Sequence, residues 1–247
     1  MTRLHTIGVV IPARDEEELI AGCLDSVLDS ARVAALEWGS DAPLVDIVVV
    51  ADGCLDHTVE IARGYEARAH QPGISVRVIE IESSNVGTTR ATGAQAVLDQ
   101  TVSRRDRVWI ANTDADSQVP TNWILAQIDG ALREYDVIVG TVRPDFADLT
   151  SAQRAAWEAG HVRGRPNGHV HGANLGVRAN LYAAVGGFAH QSEHEDVSLV
   201  DRLRFVGARV LASDDAEVIT SGRQVGRTPG GYAGYLRTQL VAPVRQG

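Results

Sequence analysis

One feature narrows the fold more than any other: an alternation that runs through the first 140 residues. Short apolar runs, TIGVVIP (6–12), LVDIVVVAD (44–52), ISVRVIEI (74–81), RVWIANTDAD (107–116) and YDVIVGTV (135–142), are separated by helix-length segments at 16–36, 56–70, 87–102 and 121–134. Near-continuous runs of Val and Ile fit strands buried on both faces. Strands that recur with a helix between them make βαβ units and a largely parallel sheet with helices on both sides. In such a sheet the ligand crevice is built by the loops after the carboxyl ends of the strands. Here those loops are Pro12-Ala13-Arg14-Asp15-Glu16, Ala51-Asp52-Gly53, Asn85-Val86-Gly87 and Asp114-Ala115-Asp116.

The alternation stops near residue 141. The stretch 143–171 holds one short predicted helix, 150–159, and then a loop rich in Gly, Pro, Arg and His whose length suggests a mobile or substrate-facing element. A helix is predicted over 195–206, and 208–222 supplies one or two further strands. With 247 residues, 44% of them apolar, the chain is long enough for one sizeable core, and a single domain is predicted over 1–247.

Composition removes several functions. The formal charge is −9, from 32 acidic and 23 basic residues, which argues against a general nucleic-acid surface; any phosphate bound here must be met locally. All the basic residues are Arg, and no function follows from that. Cys23 and Cys54 form no CxxC pattern and read as ordinary packing. The apolar run at the N-terminus reads as a first strand, not a signal peptide, and no stretch approaches the ~18–20 apolar residues of a membrane span. The expectation is a soluble cytoplasmic protein. A Rossmann dehydrogenase is disfavoured because no G-x-G-x-x-G follows IGVVIP, and a nucleotidyltransferase because no Gly-rich, Arg-containing phosphate loop does.

The apolar run at 107–116 ends on two carboxylates, Asp114 and Asp116. If strand geometry continues through them they point the same way, with Ala115 between, and two like charges aimed together repel unless a cation sits there. Alternatively Asp114 caps a turn and Asp116 is solvated. Later, Glu195 and Asp196 stand side by side. A carboxylate beside a second acid can have its proton affinity raised and serve as a base, while acids in the first turn of a helix also complement its dipole; both readings can hold together.

In order, VVIPARDEE, VVVADGCLDHT, NVGTTRATGAQ, WIANTDAD, GANLGVRANLYAAVGGF and EDVSLVDRLRFVGARV resemble family 2 of the nucleotide-sugar glycosyltransferases, from about residue 5 to 220. The resemblance implies the GT-A fold: a Rossmann-like, mostly parallel mixed sheet flanked by helices, with 1–140 binding the nucleotide sugar and 141–247 supplying the acceptor side and the catalytic base. It implies that Pro12, Ala13, Arg14 and Glu16 lie along the nucleotide, with Gly87 and Arg90 also near it, and that Asp52 receives the N–H edge of the base. Asp114 would sit near ribose and metal, Asp116 would ligate Mn²⁺ or Mg²⁺, and Asp196 would be the base beside Glu195. Asn174 would line the acceptor side. His169 and His171 share a face if extended, and His171 reads as an acceptor contact or third metal ligand, or else as part of an exposed loop. In the tail, Arg223 and Arg227 are candidates to close over the diphosphate, against a solvated surface.

Three positions depart from the family pattern: Asp15 where Asn is frequent, Ala51 where the first of two Asp commonly stands, and Ala91 in place of Asn after Arg90. They leave the nucleotide pocket plausible and weaken any inference about which base it reads. The Q-x-x-R-W signature of processive synthases is missing, which favours single addition. The expected activity is an inverting, metal-dependent transfer of a sugar from a nucleotide-diphosphate donor to an acceptor hydroxyl. A retaining transferase and a non-catalytic nucleotide- or glycan-binding protein of the same fold are the alternatives.

Overall fold

The computed structural model describes residues 3–69, 71–162, 164–166, 168–226, 231–238 and 240. An eight-stranded mixed sheet runs through it: β1 (Thr6–Ala13), β2 (Leu44–Asp52), β3 (Ile74–Ile81), β4 (Val108–Asn112), β5 (Ser117–Gln118), β6 (Val137–Pro144), β7 (Leu175–Arg178) and β8 (Val210–Thr220). The spatial order is β3-β2-β1-β4-β7-β6-β8-β5. The first four strands are mutually parallel, as the βαβ pattern predicts. β7 runs antiparallel between β4 and β6, and β5 runs antiparallel to β8. β5 and β7 were not foreseen; at two and four residues they are too short to carry a periodic signal.

The two faces are covered separately. Along β1, Ile7, Val9 and Ile11 face one core with α1 (Ile20–Trp38), α2 (Thr58–Arg68) and α4 (Trp123–Leu132). Val10 faces the other, with α3 (Val86–Gln100) and α7 (Glu195–Phe205). This two-sided burial is why the strands read as continuous apolar runs. α6 (Ala179–Ala184) joins the second core through Tyr182. A third, small cluster joins α5 (Ser151–Gly160) to α8 (Tyr232–Thr238) through Trp157 and Leu236. No helix among the described residues is long and apolar enough to cross a membrane.

One local expectation is corrected. β4 stops at Asn112, so Asp114 and Asp116 are not on a strand. The Ser117 N–H donates to the Asp114 carbonyl at 3.0 Å, closing a turn that delivers the chain into β5. A turn, not strand alternation, carries the two acids.

Candidate active site

A cavity of about 550 Å³ opens at the carboxyl ends of β1, β2 and β4. It gathers Pro12, Ala13, Arg14, Glu16, Asp52, Arg90, Asp114, Asp116, His171, Glu195, Asp196 and Arg223 from loops far apart in sequence. Gly87 and Asn174 are not among them. Arg227 lies outside the described residues.

Asp114 and Asp116 are held by different arginines. Arg90 reaches from α3 and donates through Nη2 to Asp114 at 2.5 Å and through Nε to Glu195 at 3.0 Å. Its side chain is only 3% exposed. Burial works against its charge, and the two carboxylates outweigh burial and raise its pKa. A Cβ at position 172 would collide with this guanidinium, so Gly172 is what lets the strap before β7 pass over it. Arg90 Nη1 has no partner among the described residues.

Arg223, just beyond β8, grips Glu16 through both terminal nitrogens at 2.9 and 2.7 Å and also meets Asp116 at 2.8 Å. Thr220 Oγ1 donates to Asp116 at 3.2 Å. Even so, burial first and the neighbouring Asp114 charge second push the Asp116 carboxyl up to about 6, against the pull of Arg223. Asp114, Asp116, Glu16 and Glu195 set four carboxylates against the two guanidiniums of Arg90 and Arg223. Two buried-to-half-buried carboxylates with that excess are an oxygen donor set that suits a hard divalent cation, with coordination positions left for phosphate oxygens.

At the start of α7, Glu195 and Asp196 separate in role. Glu195 is buried against Arg90, and burial raises its pKa although the arginine opposes this. Asp196 faces the cavity; Oδ2 accepts the Gly172 N–H at 2.7 Å and Oδ1 the Val197 N–H at 2.7 Å. Each oxygen keeps a further lone pair. His194, before the helix, is left-handed at φ 59°. His171 is half-buried next to Asp196; burial lowers its pKa more than that acid raises it.

Several sequence expectations need correction. Asp52 lines the cavity, yet Oδ1 accepts from the Ser83 and Ser84 N–H groups, and Oδ2 from Ser83 Oγ, the Asn85 N–H and Thr89 Oγ1, at 2.7–3.1 Å. Burial alone would raise its pKa, but these bonds outweigh it and hold the carboxyl low. The backbone N–H groups of residues 83 to 85 and the Ser83 and Thr89 hydroxyls, which also reach the Asn85 carbonyl, engage Asp52 in shaping the 83–89 loop, so it does not stand as a free acceptor.

Asn174 is not on the acceptor side. Its Oδ1 accepts from Trp123 Nε1 at 2.9 Å and its Nδ2 donates to the Thr141 and Ala216 carbonyls at 3.0 and 2.9 Å, all inside the core. Gly140 has no room for a Cβ against it. Gly87 is a packing glycine: its N–H donates to Gln191, and a Cβ would strike the Ala189 carbonyl. Sequence reasoning missed Thr220, Thr89 and Ser83, which hold the site acids, and Tyr232 and Tyr235, which line the cavity. No local pattern marks any of these.

Three metal-type ligand atoms come within 4.8 Å of one another, among the described residues, at Asp15, Cys54 and Asp56. Asp15 there accepts the Leu55 N–H, and Asp56 accepts from Thr58 and Glu17, so that group is occupied by loop hydrogen bonds.

Residues 8–184 match the family described as Glycosyl transferase family 2, about 70% of the chain. The chain belongs to that family. This member of family 2 carries Glu195, Asp196 and Arg223 beyond the matched stretch. Among solved structures it is similar to the mannosyltransferase PcManGT from Pyrobaculum calidifontis in complex with GDP-Man and Mn²⁺, at 21% identity and TM-score 0.63, covering 91% of this chain and 59% of that one. It is also similar to S. aureus TarS 1-349 in complex with UDP-GlcNAc, at 14% identity, TM-score 0.62 and coverage of 92% and 61%. GalNAc-T7 with UDP, GalNAc and Mn²⁺ matches at 14% identity and TM-score 0.62, covering 96% of this chain and 48% of that one. These likenesses establish the GT-A fold, and the chain spans about three fifths or less of the length of those structures. No curated protein sequence matches the chain.

Proposed function

We propose that this chain moves a single sugar from a nucleotide-diphosphate donor to an acceptor hydroxyl, with inversion and with the help of a divalent cation. The observation that carries the reading is Arg90, which ties Asp114 of one acid pair to Glu195 of the other inside one cavity. Donor-side and acceptor-side carboxylates are thereby fixed relative to each other, as a one-step displacement between two bound partners requires.

The first-strand loop, Pro12 to Arg14, borders the space for the nucleoside. Asp114 and Asp116 would hold Mn²⁺ or Mg²⁺, which when bound neutralises the diphosphate and the charge growing on it as the sugar departs. Arg223 pairs with Asp116 at the same place, so its guanidinium is within reach of the phosphates once it lets go of that acid. Asp196, with a lone pair free on each oxygen and no arginine committed to it among the described residues, takes the proton of the acceptor hydroxyl. Glu195, locked on Arg90, positions rather than reacts. A single attack on the face opposite the leaving group inverts the anomeric centre.

The complexes with GDP-Man, UDP-GlcNAc and Mn²⁺ named for the similar structures support this reading. The test is a thermal-shift screen of UDP-, GDP- and TDP-sugars with and without Mn²⁺, since a ligand that binds only the native state raises the Tm. At least one sugar nucleotide should raise it in a Mn²⁺-dependent way, and the product should carry the inverted anomer by NMR. A chain that neither binds nor slowly hydrolyses any of them is not a transferase of this kind.

A further inference from the structure

The cavity continues past Asp196 into a wall of rings. His171 stands edge-on to Tyr232, with centroids 5.4 Å apart and planes at 78°. Tyr232 lies against Tyr235 at 5.8 Å and 23°. At the end of α5, His161 is stacked on Trp157 at 3.8 Å and 5°, and its Nδ1 is bonded to the Trp157 carbonyl at 2.7 Å. Tyr232, Tyr235, His161 and His171 all line the cavity. These rings are held by one another and by the Trp157–Leu236 cluster, so the wall is preformed.

The charges near this wall are one-sided. Among the described residues that line the cavity, the arginines are Arg14, Arg90 and Arg223. Arg90 is spent on Asp114 and Glu195 and Arg223 on Glu16 and Asp116, while Arg14 is exposed directly after β1, where the proposed function puts the nucleotide. Beside the rings stand Glu195 and Asp196. A phosphate or carboxylate placed here would meet like charge in a partly desolvated space, with Arg90 and Arg223 already committed to carboxylates. A ring with one apolar face and several hydroxyls meets no such penalty.

We propose that the acceptor is an uncharged glycoside whose sugar ring lies on the Tyr232–His171 wall and presents a hydroxyl to Asp196. This rests on the transferase reading above. It assigns Tyr232 to acceptor specificity, a role that sequence pattern did not suggest.

The experiment uses the full chain with Mn²⁺ and the donor selected by thermal shift. The acceptor probes are the methyl and 4-nitrophenyl glycosides of glucose, galactose and mannose, each beside its 6-phosphate. Nucleotide diphosphate release is measured over the acceptor-free rate. At least one neutral glycoside should accelerate release, with kcat/KM at least tenfold above its 6-phosphate. Tyr232→Leu should raise the acceptor KM about tenfold, and Tyr232→Phe, which keeps the ring, should recover most of it. Preference for the phosphates, release that no neutral glycoside accelerates, or a wild-type acceptor KM in Tyr232→Leu overturns the acceptor class and leaves the transferase reading standing. Should Tyr232→Leu not fold, the matched acceptor pairs on the wild-type chain decide alone. Absence of any donor binding or release overturns the transferase reading itself.

Discussion

Two aspartates with one residue between them are each clamped by an arginine shared with a second acid, and the two clamps differ in kind. Asp114–Arg90–Glu195 is closed: the arginine is 3% exposed, rises from a regular helix and is walled in by Gly172. Asp116–Arg223–Glu16 is open: the arginine is 31% exposed and stands on a loop beyond the last strand. Breaking a buried ion pair from one side strands the other charge, whereas water and ions can replace an exposed partner. The closed clamp is therefore a strut, and the open one, on the proposed function, is a resident cation that the metal would displace.

The largest effect should come from Arg90→Leu, which strands Asp114 and Glu195. We expect a loss of about 3–5 kcal/mol in urea unfolding, with no recovery on adding Mn²⁺. Recovery by Mn²⁺ would mean that the strut is no more than a counter-charge.

Arg223→Gln sharpens the contrast. Its stability cost should be smaller, about 1–2 kcal/mol after solvent screening. Here Mn²⁺ should restore the loss, and calorimetry without nucleotide should show metal bound more tightly than by the wild type. Weaker metal binding in this variant would show that Arg223 supports the site and does not stand in for the cation.

Protons offer a gentler probe of the open clamp. The Asp116 carboxyl titrates at about 6, above the ~3.9 of an unfolded chain. Its ionisation therefore costs stability, increasingly as pH rises from ~4 to 6 and constantly above. Metal must compete with that proton, so Mn²⁺ affinity should fall about tenfold between pH 7 and pH 5. A flat profile over that range would remove Asp116 from the metal site.

The smallest change is Thr220→Val, which deletes the hydroxyl donated to Asp116 and accepted from Ser117. It should cost about 1 kcal/mol of stability and move the pH midpoint for Mn²⁺ binding upward, because the ionised carboxylate loses a donor. An unchanged midpoint would show that burial and Asp114 alone set the titration.

Legibility followed distance along the chain. The parallel strands β1, β2 and β4 and their helices were readable because each buries both strand faces through a local run of apolar residues, and the edge strand β3 because Ile74 and Val76 alternate with polar Ser75 and Arg77. Pro12 to Glu16, Asp114 and Asp116 were readable because they stand where such strands end. Asp52 shows the limit: its position after β2 was plain, but the donors that engage it come from residues 83 to 89. Asn174 was misassigned for a related reason, since its partners Trp123, Thr141 and Ala216 belong to three separate elements.

By itself the sequence determined the α/β alternation, the crevice at the strand ends and the identity of the acids gathered there, because period and spacing are local properties of a chain. Only the tertiary structure decided which acids stay open to a ligand and which are consumed. Arg90 reaches across 105 residues to Glu195 and Arg223 across 207 to Glu16. Pairings of that span depend on how the sheet folds back on itself, and charge compensation between groups that distant leaves no mark in the local pattern.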